Sequence, residues 1–359
     1  MRIALDATYS LGAEPSGVAV YCRSLIDELC ALHPDVSFYL AYRPNRLTRA
    51  FRETHPAKNC TRVVLEGPAT RLWSRRVDLF HGLNQRLPSA RFARKVVTFH
   101  DLFVMTAEYS SPEFRAKFTD LAKRAAEQAD HIIAVSGFTA SETARLLGYP
   151  REKITTIYHG VRTPPRYTQV ELSVLRKELS LDGPFVLHVG AIQTRKNCLR
   201  LIDAFERIPG GPLLVFAGGA GYGADETLAR IDLSPAKSRI RWLGYVDADT
   251  RAKLYRTATA LAFPSLAEGF GLPVLEAMAA GLPVLASNTS ALPEVAGGAA
   301  VLVDPLDIDA MGEGLTRLLA DEELRHEFAE KGMRRAEELT WRRAAQQTWQ
   351  VYQDLIQEA

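Results

Sequence analysis

Short β-branched runs alternate with longer amphipathic stretches along this chain, and after one interruption the alternation starts again. Strands joined by helical crossovers build a parallel sheet covered on both faces, so the pattern predicts a doubly wound α/β architecture. The first series predicts strands at Arg2–Leu5, Phe38–Ala41, Arg62–Leu65, Leu79–His81, Val96–Phe99, His131–Val135 and Ile154–Ile157. Its helices fall at about Val18–Leu32, Pro112–Ala129 and Ser136–Leu147, the last opened by Ser136-x-x-Thr139 with N-capping chemistry. Between Val161 and Gly183, two Pro-rich punctuations flank a short polar helical segment, which marks a domain boundary. The second series predicts strands at Phe185–Val189, Pro212–Ala217, Ile240–Leu243, Thr259–Phe263, Val284–Ser287 and Ala300–Val303. Its helices fall at about Asn197–Arg207, Ala224–Ile231, Thr250–Thr257, Pro273–Ala280, Leu306–Ala320 and Glu322–Leu339, with a last helix over Trp341–Gln357. A length of 359 residues suits two domains of about 150–200 residues, each able to bury its own core.

Composition narrows the class. With 47% hydrophobic and 24% charged residues, this is an ordinary globular balance. No apolar run reaches the roughly 18 residues of a membrane span. The N-terminus, Met1-Arg-Ile-Ala-Leu-Asp, reads as a first strand and not as a signal peptide. Cys22, Cys30, Cys60 and Cys198 follow no metal-ligand spacing, so reduced thiols and a cytoplasmic location are expected. The net charge of +2 hides an asymmetry: residues 1–162 carry +7 and the remainder −5. Much of the excess lies in Arg43, Arg46, Arg49, Arg52, Lys58, Arg62, Arg71, Arg75 and Arg76. A solvated basic face is the plainer explanation. The alternative is peripheral contact with an anionic membrane, on its inner face, or with a phosphate-bearing acceptor. No base-stacking aromatics are interleaved with these arginines, so nucleic acid is not an expected partner.

The most informative segment is Ser265-Leu-Ala-Glu268-Gly-Phe-Gly-Leu-Pro273-Val-Leu-Glu276-Ala-Met-Ala-Ala-Gly281. Pro273 suits a helix start and Gly281 its stop. Glu268 is therefore expected on a loop and Glu276 in the first helical turn. The Gly269–Gly271 backbone can approach a ligand closely while helix N–H groups point at it, which suits a phosphate. The two carboxylates suit hydroxyl groups on either side, and phosphate plus hydroxyls describes a nucleotide-sugar site. Taken alone, the carboxylate pair is equally well explained as a solvated loop entering a core helix.

The longer pattern Ser-x-x-Glu-Gly-Phe-Gly-Leu-Pro-x-Leu-Glu-Ala-Met-Ala-x-Gly-x-Pro-Val decides between them, because it resembles the donor-binding E-x7-E signature of glycosyltransferase family 4. The resemblance implies a retaining enzyme of the GT-B fold: two facing Rossmann-like, doubly wound parallel-sheet domains with an interdomain cleft. The corresponding division is an N-terminal, acceptor-side domain over 1–165, a linker over 166–183, a donor-binding domain over 184–340, and a helix over 341–359 that crosses back to the first domain. By the same resemblance, Glu276 holds ribose hydroxyls and Glu268 contacts sugar hydroxyls near the anomeric centre. Arg195, Lys196, Gly17 and the amides of Gly269, Phe270, Gly271 and Leu272 neutralise the diphosphate. Tyr245 and Val246 line the base, and His100, after an apolar strand in Phe99-His100-Asp101-Leu102, lies against the transferred sugar.

Charge supports part of this without the resemblance. Arg195 and Lys196 stand at a helix start, where cations are unfavourable unless an anion is present. The chain departs from the family pattern at Ala191, where some members have Arg, at His159, where Asn is usual, and in having one glycine, Gly17, where many have two. Asp247-Ala-Asp249 looks like a metal-binding DxD, but its place before a helix reads Asp249 or Thr250 as an N-cap. No metal and no cofactor are expected. The resemblance leads to the expectation of a hexosyltransferase using a nucleotide-diphospho-sugar, GDP-mannose first and UDP-sugars next, on a glycan or lipid-linked acceptor. A nucleotide-sugar epimerase of similar fold is the alternative enzyme, and a nucleotide-sugar-binding sensor the alternative without catalysis. The loose Gly219-Ala-Gly221-Tyr-Gly-Ala224 fingerprint does not support an NAD-dependent oxidoreductase, lacking the acidic residue such a site needs.

Overall fold

The computed structural model describes residues 1–12, 16–53 and 57–358. Two compact units make up the chain, one of Met1–Gly160 with Leu339–Ala359 and the other of Val161–Glu338. The first holds a sheet of seven strands: β1 (Arg2–Asp6), β2 (Ser37–Tyr42), β3 (Cys60–Val64), β4 (Leu79–Gly82), β5 (Lys95–Phe99), β6 (His131–Ala134) and β7 (Ile154–Thr156). The second holds six: β8 (Phe185–Val189), β9 (Leu213–Ala217), β10 (Ile240–Trp242), β11 (Ala260–Phe263), β12 (Val284–Ser287) and β13 (Val301–Val303).

Every strand pairing is parallel, in the orders β3-β2-β1-β4-β5-β6-β7 and β10-β9-β8-β11-β12-β13. Strands such as β8 (Phe-Val-Leu-His-Val) and β11 (Ala-Leu-Ala-Phe) are buried along their whole length, as covering both faces of a sheet requires. In each unit the winding reverses once, between β1 and β4 and between β8 and β11. Loops leaving the carboxyl ends of strands at such a reversal diverge and leave a crevice, where ligands of open α/β sheets bind.

The segment 166–183 carries the short helix that the sequence predicts. It contains the helix Gln169–Glu178, opened by a capping box between Thr168 and Glu171, and this helix packs on Ala248–Thr257 within the second unit. The last helix, Trp341–Gln357, packs on Gly17–Leu32 in the first unit, where Trp349 stacks on His33 at 3.8 Å. Two helices in the basic stretch, Pro44–Glu53 and Thr70–Ser74, escape the sequence pattern. The first buries only Ala50, and its apolar residues Leu47, Ala50 and Phe51 span little more than one turn, too short a stripe to stand out among the basic residues.

Candidate active site

The reversal between β8 and β11 gathers the charged candidates of the second unit. Arg195 and Lys196 lie on a short 3-10 turn, Thr194–Lys196, after β8, and Glu268 on the loop after β11. Lys196 Nζ stands 2.6 Å from Glu268 Oε1, and Arg195 Nη1 stands 2.7 Å from the same oxygen. Arg195 Nη1 also donates to the Ala267 carbonyl at 2.5 Å, and the Lys196 ammonium lies 4.3 Å from the centre of the Phe263 ring. The side-chain amide of Asn197 donates to the carbonyls of Pro264 (3.0 Å) and Pro305 (2.7 Å), which ties the loops after β11 and β13 to the turn carrying the cations.

None of the three charged residues is more than 8% exposed. Burial pushes the Glu268 carboxyl up, but Arg195 and Lys196 outweigh it and hold the group at about 2. Burial draws the Lys196 ammonium below the ordinary lysine value, with Glu268 opposing and Arg195 assisting that fall. Two buried cations thus share one carboxylate oxygen. An arriving anion meets donors already fixed in place, and these need no reorganisation.

Glu276 sits one step deeper than expected. The helix runs Leu272–Ala279 with Pro273 at its second position, so Glu276 is its fifth residue and lies beyond the first turn. The start is displaced because Gly271 is the N-cap with φ of 101°, a left-handed conformation in which a Cβ would stand 2.6 Å from Leu292 Cδ2. Glu276 Oε2 accepts a 2.9 Å hydrogen bond from the Tyr255 hydroxyl and lies 3.5 Å from Arg251 Nε. Between the two glutamates, Gly269 and Phe270 are buried, and Leu272 opens the helix, where Pro273 carries no N–H and the Val274 amide donates to the Gly271 carbonyl at 3.0 Å. The Glu268 amide donates to Ser290 Oγ at 3.0 Å, so the loop is braced by a residue that the sequence did not single out.

Tyr245 and Val246 lie between β10 and the helix Ala248–Thr257, with Tyr245 exposed. Trp242, at the end of β10, is exposed beside them, and its indole donates to the Gly218 carbonyl at 2.7 Å. It was missed, although a Trp ending a strand three residues before Tyr245 is a readable signal for an aromatic platform. Asp247 is the N-cap, accepting from the Thr250 amide at 2.7 Å, in place of the expected Asp249 or Thr250. Asp249 instead pairs with Lys253 at 2.6 Å and accepts from the Tyr167 hydroxyl at 2.9 Å.

Gly17 and His100 belong to the first unit. Gly17 is the first residue of the helix Gly17–Leu32, behind the N-cap Ser16. His100 follows β5 and is buried. Its Nε2 donates to the carbonyl of Leu83, just after β4, at 2.9 Å. The Tyr21 ring meets it edge-on with centroids 4.8 Å apart. Burial brings the His100 imidazole down to about 4, so it is neutral at pH 7, with Nδ1 as its acceptor nitrogen.

Known proteins share this architecture. Sucrose-phosphate synthase from Thermosynechococcus elongatus superimposes with a TM-score of 0.78 at 23% identity, covering 100% of both chains. Anabaena HepE in complex with UDP and glucose gives 0.75 at 19%, covering 98% of this chain and 99% of its own. Residues 15–163 match the model of glycosyltransferase family 4, and residues 174–335 that of glycosyl transferases group 1. The O-antigen chain mannosyltransferase B of Escherichia coli is 31% identical over 91% of this chain and 84% of its own length. The chain belongs to the GT-B glycosyltransferases. A second relative of this glycosyltransferase is the MMP alpha-(1->4)-mannosyltransferase of Mycolicibacterium hassiacum, 30% identical over 67% of this chain and 57% of that protein. The serotype-specific mannosyltransferase WbdA of Escherichia coli is 27% identical over 64% of this chain, a match spanning 29% of the relative.

Proposed function

We propose that this glycosyltransferase is a retaining, metal-independent hexosyltransferase that moves a sugar from a nucleoside-diphosphate donor to a glycan or lipid-linked acceptor. The carrying observation is the buried cluster in which Arg195 and Lys196 converge on one oxygen of Glu268 at the reversal of the second sheet. Bond breaking leaves charge on the departing diphosphate, and stabilising that charge with fixed donors is the main physical requirement. Lys196 and Arg195 meet it as a point charge and a planar fork, aided by the helix start at Gly269–Leu272. Because both cations fall on Glu268 Oε1, the carboxylate is oriented with its second oxygen toward the sugar hydroxyls. Glu276, braced by Tyr255, offers its carboxylate to the ribose. Tyr245 and Val246 take the base, and neutral His100 presents Nδ1 to the sugar.

The mannosyltransferase names among the relatives favour GDP-mannose, and the solved neighbour with UDP keeps UDP-sugars next. Retention follows from the resemblance of the Glu268–Glu276 motif. The exposed arginines of Pro44–Glu53 and of residues 71–76 support a location on the cytoplasmic side of an anionic membrane. Incubation with a panel of nucleotide sugars tests the reading. Slow hydrolysis releasing free nucleotide supports a transferase. Interconversion of the sugars would mark an epimerase, and a thermal shift without turnover a sensor.

A further inference from the structure

We infer that the C-terminal helix Trp341–Gln357 positions His100 through a buried line of hydrogen bonds running Tyr352–His81–Thr98–Tyr21. The inference rests on the role proposed above for His100. Tyr352 Oη stands 2.5 Å from His81 Nδ1, although the two residues are 271 positions apart. His81 Nε2 lies 2.8 Å from Thr98 Oγ1, which lies 2.8 Å from Tyr21 Oη. Tyr21 then places its ring edge-on against His100. None of the four side chains in this line is more than 3% exposed.

Polar groups in the interior of a parallel sheet cost desolvation that valine or isoleucine would avoid. Their arrangement here is a line of satisfied bonds with one end on the last helix and the other against the site. A neutral imidazole donates through one nitrogen and accepts through the other, so His81 fixes one donor direction along the line at a time. Burial keeps His81 neutral by bringing it down to about 3.

The start of the same helix bears on His100 by a second route. Trp341 lies 5.5 Å from His159, which lies 5.5 Å from His100 and 4.9 Å from Tyr21, all between ring centroids. Gly160 makes this approach possible, since a Cβ there would stand 2.0 Å from the Trp341 amide nitrogen. Tyr21, Thr98, His81 and Tyr352 are thus positioning residues, acting through the orientation of the His100 ring.

The test uses the full chain and compares Tyr352→Phe, Tyr21→Phe, Thr98→Val and Thr98→Ser with His100→Ala. Thr98→Val keeps the shape and loses the hydroxyl, while Thr98→Ser keeps the hydroxyl. Donor turnover is followed with GDP-mannose and UDP-glucose, nucleotide affinity by calorimetry, and the His100 ring nitrogens by NMR. Tyr352→Phe, Tyr21→Phe and Thr98→Val are expected to lower kcat on the order of 10-fold, as small misplacements of a reacting geometry do. KM and nucleotide affinity should stay unchanged, the His100 signals should shift, and Thr98→Ser should retain parental kcat. If His100→Ala is impaired while those three variants keep parental kcat and parental His100 signals, the line is core packing alone and the inference fails. If His100→Ala turns over like the parent, the role assigned to His100 fails instead.

Discussion

Glu268 and Lys196 lie 72 residues apart in sequence and 2.6 Å apart in the folded chain, and Arg195 shares the same carboxylate oxygen. A buried ion pair is weak evidence of stability, since desolvation offsets much of the attraction; breaking one costs about 3–5 kcal/mol because a charge is left uncompensated. The triad therefore reads better as a site held ready for an anion than as a structural staple.

Its titration gives the first prediction. Glu268 has a folded value of about 2 against 4.5 for an ordinary glutamate. A depressed carboxyl contributes stability that is complete above the ordinary value and is lost as pH falls through the folded one. Melting temperatures measured between about pH 5 and pH 2 should fall more steeply for the parent than for Glu268→Gln. Parallel curves would show that the ion pairs contribute nothing to folding.

Glu276→Ala should weaken free-nucleotide binding. Charge-assisted hydrogen bonds to ribose are worth roughly 1.5–3 kcal/mol, or on the order of 10- to 150-fold in Kd. Glu268→Ala should leave that affinity nearly intact and lower kcat, as expected of a contact that strengthens in the transition state. Calorimetry with GDP and UDP, beside donor-hydrolysis kinetics, separates the two variants. Parental binding and turnover in both would show that neither carboxylate acts on the donor.

Turnover should survive chelation. Arg195 and Lys196 supply the positive charge, while Asp247 is committed to a helix cap and Asp249 to Lys253. Activity abolished by EDTA and restored by Mg²⁺ or Mn²⁺ would contradict this.

The basic face of the first unit should bind anionic vesicles. Arg46, Arg52, Arg71 and Arg75 are exposed, as are Phe51 and Leu72. Arginines near such a surface contribute about 1 kcal/mol each. Replacing these four arginines by Glu should abolish co-sedimentation with phosphatidylserine vesicles while leaving donor hydrolysis in solution unchanged. Equal sedimentation of variant and parent would leave the face merely solvated.

Both sheets were legible in the sequence because fully buried parallel strands appear as short apolar runs, with amphipathic crossovers between them. The helix Pro44–Glu53 was not legible, since it buries one side chain and its apolar residues Leu47, Ala50 and Phe51 span little more than one turn. Glu276 was placed one residue too early because Pro273 was read as the first helical residue, when Gly271 caps a helix that begins at Leu272. The candidates Arg195, Lys196 and Glu268 could be named from motif and charge, but their meeting on one oxygen depends on β8 and β11 being neighbours. Tyr255 behind Glu276 and the line from Tyr352 to Tyr21 join residues that no local pattern connects.

The central claim is that Lys196 and Arg195 with Glu268 form a diphosphate site, and calorimetry with matched nucleotides tests it most directly. Affinities for GDP against GMP, and UDP against UMP, would be measured for the parent and for Lys196→Met, which leaves Arg195 paired with Glu268. The parent should prefer the diphosphate, and Lys196→Met should lose on the order of 10- to 150-fold of that preference, from the strength of a charge-assisted hydrogen bond. An unchanged diphosphate-to-monophosphate ratio in the variant would show that the second phosphate binds elsewhere.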